Sequence, residues 1–117
     1  MFLSGNVTVM VSDMDRAVKF YTQALGFRLA TRYENEWAQV EAAGLTIGLH
    51  PIGRKTERAA GQGGLSIGLQ VDRLGPVIET LKVRGVQFQP QFVEDRGIKL
   101  AFFSDPDGNP LYLCQVT

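Results

Sequence analysis

The sequence predicts an α+β fold made of two similar modules, each a strand, a helix and three further strands (βαβββ). The first observation behind this prediction is that strand and helix periodicities follow one another in the same order twice. The second is that matching segments lie at nearly constant offsets. Residues 6–11 match 66–71 at an offset of 60, and residues 44–50 match 108–114 at an offset of 64. The chain therefore contains an internal repeat of two modules.

We expect one domain over residues 1–117, because a chain of this length is too short for two independent cores. The modules occupy approximately residues 5–50 and 65–116 and are joined by the loop 51–64. This loop is polar, glycine-rich and without periodicity. A linker is the simpler interpretation, and a mobile lid is the alternative.

The first helix is predicted from apolar residues at spacings of three and four, which form one stripe. Ser12 with Asp15 resembles a capping box, and Asp13 could cap the helix instead. Gly26 ends the helix, where a left-handed residue is favoured. The stripe consists of Met14, Ala17, Val18, Tyr21, Ala24 and Leu25.

The second helix repeats this pattern after Asp72 and before Gly85. Pro76 must lie in its first turn, where a missing N–H costs little. Its apolar stripe consists of Leu74, Val77, Ile78 and Leu81.

The strands are predicted from alternation with a period of two. Residues 6–11 place three valines on one face, and residues 65–71 place Leu65, Ile67, Leu69 and Val71 on one face. Tight turns at Asn35 and at 43–44 separate the remaining strands of the first module. The other predicted strands are 27–33, 36–42, 45–50, 86–90, 97–104 and 110–115.

Composition argues against two classes of partner. Twelve basic side chains balance twelve acidic ones, whereas nucleic-acid-binding proteins usually carry a basic excess. No apolar run approaches the ~20 residues that a membrane helix needs. Cys114 is the only cysteine, which fits a reducing compartment, and the first residues do not resemble a leader. We therefore expect a cytoplasmic protein that binds neither nucleic acid nor membrane.

Two motifs have simpler explanations than the ones they first suggest. Residues 105–109, Asp-Pro-Asp-Gly-Asn, resemble a calcium loop, but Cys114 stands where an EF-hand has glutamate. A tight turn with Gly108 at positive φ explains them. The glycines of residues 61–64 precede a strand rather than a helix, so they are not a phosphate-binding loop.

Several segments together resemble the vicinal oxygen chelate superfamily, which includes glyoxalase I, bleomycin and fosfomycin resistance proteins and extradiol dioxygenases. They are Asn-Val-Thr-Val-Met-Val-Ser-Asp at 6–13, Ala-Val-Lys-Phe-Tyr at 17–21, Leu-Gly-Phe at 25–27 and Asp-Pro-Asp-Gly-Asn-Pro-Leu at 105–111. The resemblance spans nearly the whole chain. It implies two βαβββ modules whose curved sheets enclose a cleft.

In metal-dependent members of the family, side chains at four strand positions hold a divalent ion. These positions correspond here to Asn6, Gly48, Ser66 and Tyr112, and a two-residue slip would replace Gly48 with His50. Divalent transition ions need several imidazole, carboxylate or thiolate ligands. An amide, a glycine, a hydroxyl and a phenol do not supply them, so we expect neither a metal nor another cofactor.

Strand parity and the resemblance together select the cleft residues. In residues 37–42, the large side chains Trp37, Gln39 and Glu41 alternate with small ones, as expected if the small ones face a helix. Trp37 packing in the core or in a subunit contact is the alternative, and Phe103 cannot be assigned to a face. The predicted ligand-binding residues are Asn6, Thr8, Trp37, Gln39, His50, Ser66, Gln70 and Tyr112.

His50 and Cys114 occupy equivalent places in the two repeats. If both faced the cleft, they could form a thiolate–imidazole pair. A small apolar cysteine and a histidine at a strand end are the simpler interpretation.

These residues favour reversible binding of a small organic molecule, as in the bleomycin resistance type of protein. One alternative is a lyase or isomerase of the glyoxalase type with an atypical metal site that includes His50, Glu41 or aspartates. Another is a structural or regulatory homodimer with a vestigial cleft. The sequence leaves catalysis open, and we expect a symmetric homodimer because two-module chains of this family commonly pair.

Overall fold

The computed structural model describes residues 1, 3, 6–52, 65–95 and 97–116. The first module contains β1 (Val7–Val11), α1 (Met14–Lys19), a π-helix that continues α1 (Phe20–Ala24), β2 (Arg28–Tyr33), β3 (Trp37–Ala42) and β4 (Leu45–Pro51). The second module contains β5 (Ile67–Gln70), α2 (Leu74–Val83), β6 (Phe88–Asp95), β7 (Ile98–Ser104) and β8 (Pro110–Val116).

The two modules form two four-stranded sheets with the same strand order. That order is β1-β4-β3-β2 in the first sheet and β5-β8-β7-β6 in the second. The neighbours β1 and β4 are parallel, as are β5 and β8, and all other neighbouring pairs are antiparallel. Val7 pairs with Ile47, and Ile67 pairs with Leu111, at the offsets of 60 and 64 that the sequence predicts. The α+β class and the internal repeat are confirmed.

Each sheet packs one face against its own helix. Helix α1 packs on β3 and β4, and α2 packs on β7 and β8. Ala38 and Val40 of β3 are fully buried beneath α1, as predicted for the small residues of this strand. We call the face of each sheet opposite its helix the open face.

The first helix ends as predicted but is not α-helical throughout. Asp13 is the N-cap, and its side chain accepts a hydrogen bond from Arg16 N, so the Ser12 capping box is wrong. Gly26 has a φ of 84° and terminates the helix. From Phe20 onward the helix widens into the π form, with a hydrogen bond from Leu25 N to Phe20 O. A π-helix has one more residue per hydrogen-bonded turn than an α-helix. The spacing of the apolar residues does not reveal it, because the same face of the helix stays buried.

The second helix contains Pro76 in its first turn, and Gly85 follows it with a φ of 93°, both as predicted. Asp72 does not cap it. The N-cap residue is Arg73, whose side chain makes no capping bond, and Gln115 Oε1 accepts the hydrogen bond of Leu74 N from β8 at 2.7 Å. A side chain from a distant strand can satisfy the free N–H at the start of a helix. No residue near that helix in the sequence then indicates the cap.

Two strands, β5 and β6, differ clearly from the prediction. Leu65 is 73% exposed and lies outside β5, which is shorter than expected. Strand β6 extends to Asp95, beyond the expected end at Pro90, with an irregular register between Phe88 and Phe92. An edge strand tolerates Pro90 because one side of its backbone needs no partner. Most of the predicted linker, residues 53–64, lies outside the described residues, as do the glycines at 61–64.

The turn between β7 and β8 joins the second module to the first. Gly108 there has a φ of 84°, which confirms the predicted turn. Asp105 is only 4% exposed, and its Oδ1 accepts hydrogen bonds from the backbone N of Asp107 at 2.9 Å and of Asn109 at 2.8 Å. Its Oδ2 accepts from Tyr21 Oη at 3.0 Å and from Asn109 Nδ2 at 2.8 Å. Asp105 therefore shapes its own turn and fastens it to the helix of the other module.

Two neighbouring contacts strengthen this junction. Asn109 Nδ2 also donates to Met10 O in β1, at 3.0 Å. Ser12 donates to Asp107 Oδ1 through its backbone N at 2.9 Å and through its hydroxyl, and Arg16 pairs with the same oxygen. Ser12 Oγ also accepts a hydrogen bond from Arg16 of its own helix at 2.8 Å, so Ser12 joins α1 to the turn of the other module.

The junction shifts the pKa values of its two buried ionisable groups. Burial raises the pKa of Asp105, although hydrogen bonds from Asn109, Tyr21 and Asp107 oppose the shift. Burial raises the pKa of Tyr21 as well, and the charge of Asp105 adds to the effect. The raised pKa of Tyr21 keeps its phenol protonated, so Tyr21 Oη donates the hydrogen bond and Asp105 Oδ2 accepts it.

Tyr21→Phe is expected to lower the free energy of unfolding by about 1–3 kcal/mol, because it removes one donor from a buried carboxylate. Tyr33→Phe is the matched control. Tyr33 is 68% exposed and its hydroxyl makes no hydrogen bond to any described residue, so a change below about 0.5 kcal/mol is expected. Urea unfolding of the two variants checks this, and equal losses would contradict the role of Tyr21.

Asp105 is expected to give the stability a defined pH dependence. Because its pKa is higher in the folded chain, the folded chain binds the proton first, so its contribution is fully present below the ordinary value of 3.8. That contribution is lost as the pH rises through the raised pKa. The stability of the natural chain relative to Asp105→Asn should therefore increase as the pH falls from neutrality towards 3.8. Urea unfolding over a pH series measures the difference, and a constant or shrinking one would show that the pKa is not raised.

Candidate functional site

The open face of the first sheet carries five of the eight predicted ligand-binding residues. Thr8 is paired with Gly48 in the parallel register, and Gln39 is paired with Gly48 on its other side. Thr8 Oγ1 donates to Asn6 Oδ1 at 3.3 Å, which ties the start of β1 to its middle. Strand alternation puts the five on the side away from α1: Asn6, Thr8, Trp37, Gln39 and His50.

The indole of Trp37 lies directly over Gly48. A Cβ added at Gly48 would clash with Trp37 Cη2 and would lie 2.8 Å from Cζ2 and 2.9 Å from Cζ3. Gly48 is buried although it has no side chain, because the ring covers it, and Trp37 itself is half-buried. The glycine lets a large aromatic ring lie flat on the sheet while part of it remains accessible.

The open face of the second sheet uses the same device with different strands. Tyr112 of β8 lies over Gly68 of β5, and a Cβ at Gly68 would be 2.7 Å from Tyr112 Cε2 and closer to the Cζ and Oη atoms. The ring of Phe102 is 6.3 Å from that of Tyr112, at an interplanar angle of 48°. Each open face therefore carries a half-buried aromatic surface supported by a glycine.

The other two predicted residues of the second module flank this surface. Gln70 pairs with Cys114 in the register of β5 and β8. Ser66 immediately precedes β5, and its hydroxyl donates to Pro110 O at 3.5 Å. The structure thus divides the predicted set between the two sheets.

His50 is held in one orientation. Its Nδ1 is 2.7 Å from the carbonyl oxygen of Pro51, and since a carbonyl only accepts, Nδ1 carries the hydrogen in the neutral ring. Nε2 is then the hydrogen-bond acceptor. Cys114 lies in the other sheet, and within the described part of the chain no hydrogen bond joins it to His50, so the two do not form the pair that their equivalent positions suggest.

The family's four metal positions do not fit a divalent transition ion. At one of them Trp37 fills the space into which a side chain at position 48 would project, and at another the phenol of Tyr112 rests on Gly68. Asn6 accepts a hydrogen bond from Thr8. Over residues 1, 3, 6–52, 65–95 and 97–116, no group of three or more His, Cys, Asp or Glu is placed to hold a metal ion. The donor set lacks the converging ligands that such an ion requires.

Glu41, the carboxylate considered for an atypical metal site, is already paired. It forms an ion pair with Arg28 on the neighbouring strand β2, on the open face of the first sheet. A ligand role for Glu41 would require this pair to separate.

Sequence reasoning missed two parts of this arrangement. Phe103 is 1% exposed and packs in the core at 5.1 Å from Phe88, so Phe102 is the one of the two that lies beside Tyr112. Alternation between Phe102 and Ala101, a small residue on the helix side, was the available signal. No sequence signal predicts the contact between Tyr21 and Asp105, because no local pattern relates residues that are 84 positions apart.

Two βαβββ modules, each a four-stranded sheet packed against one helix, place the chain in a recognised class of α+β proteins. A family model of the Glyoxalase/Bleomycin resistance protein/Dioxygenase superfamily matches residues 4–113. The chain belongs to this superfamily, and the resemblance drawn from its segments is confirmed.

Similar proteins carry different names. A probable lactoylglutathione lyase of Vibrio cholerae is 30% identical over 118 residues, covering 90% of this chain and 84% of that protein. A probable chloroplastic lactoylglutathione lyase of Arabidopsis thaliana is 30% identical over 132 residues, and this chain spans only 38% of its length. TnmS3, an antibiotic binding protein from Streptomyces sp. CB03234, is 28% identical with a TM-score of 0.77, covering 100% of this chain and 99% of that one.

Nothing in the described helices is long and apolar enough to cross a membrane.

Gly48→Ala is expected to displace the indole of Trp37 and to lower the free energy of unfolding by about 1–3 kcal/mol, because the added methyl group overpacks the contact. Since Trp37 is the only tryptophan, its fluorescence reports the displacement directly. The same substitution in a Trp37→Ala background should cost close to nothing, because the clashing ring is gone. An equal cost in both backgrounds would contradict the contact.

Proposed function

We propose that the protein reversibly binds a small organic molecule with a flat apolar part, on the open faces of its sheets and without a metal ion. The observation that carries this proposal is the pair of aromatic surfaces, Trp37 on Gly48 and Tyr112 on Gly68. Aromatic faces offer large contact area with few rotatable bonds to freeze, which suits the binding of flat molecules.

Polar groups around the first aromatic surface support this proposal. Gln39 and Thr8 flank Gly48 in register, and His50 offers an oriented ring with Nε2 as acceptor. A few oriented polar groups in an otherwise apolar site are typical of small-molecule sites. The antibiotic-binding activity in the name of TnmS3, over the full length of both chains, favours the same class of ligand.

Metal independence is part of the proposal. Trp37 and Tyr112 occupy the space of two of the four family ligand positions, and the remaining groups are a neutral amide and a hydroxyl. We also propose that the protein is a cytoplasmic homodimer. Light scattering tests the dimer, because the mass of the monomer is 12.9 kDa.

A glyoxalase-type lyase or isomerase is the second candidate. The names of the Vibrio and Arabidopsis relatives favour it, and His50 supplies one group able to accept a proton. Formation of lactoylglutathione, assayed with and without added divalent metal, distinguishes it from reversible binding. Metal-dependent turnover would favour this candidate over the first.

The binding proposal is tested with aromatic compounds that raise the unfolding temperature of the protein, with EDTA present throughout. Such a ligand should quench Trp37 fluorescence. Tyr112→Ala should weaken its affinity by about 1–3 kcal/mol, the scale of one buried aromatic contact. Phe92→Ala is the control, because Phe92 is 53% exposed and pairs with Ala101 on the other face of the sheet.

A different result would favour a structural role for the two rings. If Trp37→Ala and Tyr112→Ala each lower stability by about 3–5 kcal/mol while affinity is unchanged, the rings are core residues and the cleft is vestigial. Binding that is seen only when EDTA is left out would contradict metal independence.

A further inference from the structure

A cleft of about 430 Å³ lies at the junction of the two modules, on the helix side of the second sheet. Phe20 of the π-helix lines it from the first module. Residues 85–89, which run into the start of β6, and residues 103–106, which run out of the end of β7, line it from the second. Phe103 points to the helix side and Tyr112 to the open face, so this cleft is separate from the aromatic surfaces described above. Its volume falls within the roughly 300–1,000 Å³ of small-molecule sites.

Aromatic rings form its walls. Phe20 is half-buried and is held edge-on by Tyr21, with ring centroids 5.2 Å apart at 86°. Phe88 is half-buried and rests on the buried ring of Phe103, with centroids 5.1 Å apart. The π-helix begins at Phe20, and π-turns occur often at functional sites because the extra residue redirects a side chain. Two partly accessible rings from different modules therefore face one cleft.

Neutral polar side chains form its rim. Gln87, Gln89 and Ser104 are exposed, and their side chains make no hydrogen bond to any other residue that the structure describes. A primary amide offers a donor and an acceptor side by side, so it pairs well with another amide. Gln87, just before β6, and Gln89, within it, each supply such an amide, one on either side of Phe88 along the chain.

The floor of the cleft disfavours negative charge. Asp105 lies there, 4% exposed, and all of its acceptor capacity is taken by the four hydrogen bonds of the junction. An anionic ligand would meet its charge in a partly desolvated site and would gain no hydrogen bond from it. The remaining lining residues are uncharged.

We propose that this cleft is a second ligand site, specific for an uncharged flat aromatic molecule that carries an amide or a similar paired donor and acceptor. The ring lies between Phe20 and Phe88, and the amide pairs with Gln87 or Gln89. Because Phe20 belongs to one module and the glutamines to the other, the ligand bridges the two. This proposal is independent of the function proposed for the open faces.

The test compares benzamide with benzoate, which share a ring and differ in charge. In an NMR titration of the whole chain, benzamide should shift the side-chain amide signals of Gln87 and Gln89, and benzoate should bind at least about fivefold more weakly. Benzamide should also raise the unfolding temperature, because it binds only when both modules are in place.

Two variants separate this site from the open faces. Ser104→Trp should fill the cleft and abolish the shifts, and Phe20→Leu should weaken binding about fivefold by removing one aromatic wall. Phe92→Ala is the control and should leave the titration unchanged. Spectra without ligand establish that each variant is folded.

Three results would overturn the proposal: no shift at Gln87 or Gln89 up to about 10 mM benzamide, equal binding of benzoate, or unchanged binding by Ser104→Trp. Shifts confined to the indole signal of Trp37 would also overturn it, and they would favour binding on the open face instead. Failure of the second site is thus distinguishable from failure of the proposed function.

Discussion

The buried carboxylate of Asp105 accepts four hydrogen bonds. Three come from its own turn, namely from Asp107 N, Asn109 N and Asn109 Nδ2, and the fourth comes from Tyr21 in the helix of the other module. Two sheets that share no strand pairing need such a contact to hold a fixed relative orientation. A buried polar network of this kind is stabilising only when every member is satisfied, because an unpaired carboxylate in a low-dielectric interior is costly. The rest of the arrangement depends on it. It places Phe20 opposite β6, it sets the floor of the junction cleft, and it fixes where the two open faces lie.

The two modules share a strand order but differ in how they build their open faces. In both, a glycine supports an aromatic ring, and it lies in an inner strand of the first sheet and in an edge strand of the second. In the first module the ring comes from Trp37 on the neighbouring antiparallel strand, whereas in the second it comes from Tyr112 on the neighbouring parallel strand. The register makes Gly48 the counterpart of Tyr112 and Thr8 the counterpart of Gly68. The repeat therefore preserved the framework and exchanged the roles of its strands, which gives the two faces different outlines and different polar neighbours.

The sequence predicted those features that depend on local chemistry or simple periodicity. The stripes of both helices, the positive φ of Gly26, Gly85 and Gly108, and the offset between the repeats follow from residue type and spacing. The π-turn at Phe20 keeps the same buried face, so the spacing did not reveal it. Ser12 and Gln115 serve partners distant in sequence, and their side chains fit a local cap or a strand equally well. Asp105 reads locally as a turn residue, and its contact with Tyr21 exists only once both modules have folded.

The glycines beneath the aromatic rings also constrain how this protein can evolve. A side chain cannot appear at position 48 while Trp37 covers it, and replacing Trp37 first exposes bare backbone on the sheet. The same linkage joins Gly68 to Tyr112. Each change is harmful until its partner has changed, so the fitness effect of one substitution depends on the other. Divergence towards a metal site or a new ligand must pass through coupled double substitutions, and lineages separated by that barrier are expected to keep one or the other combination intact.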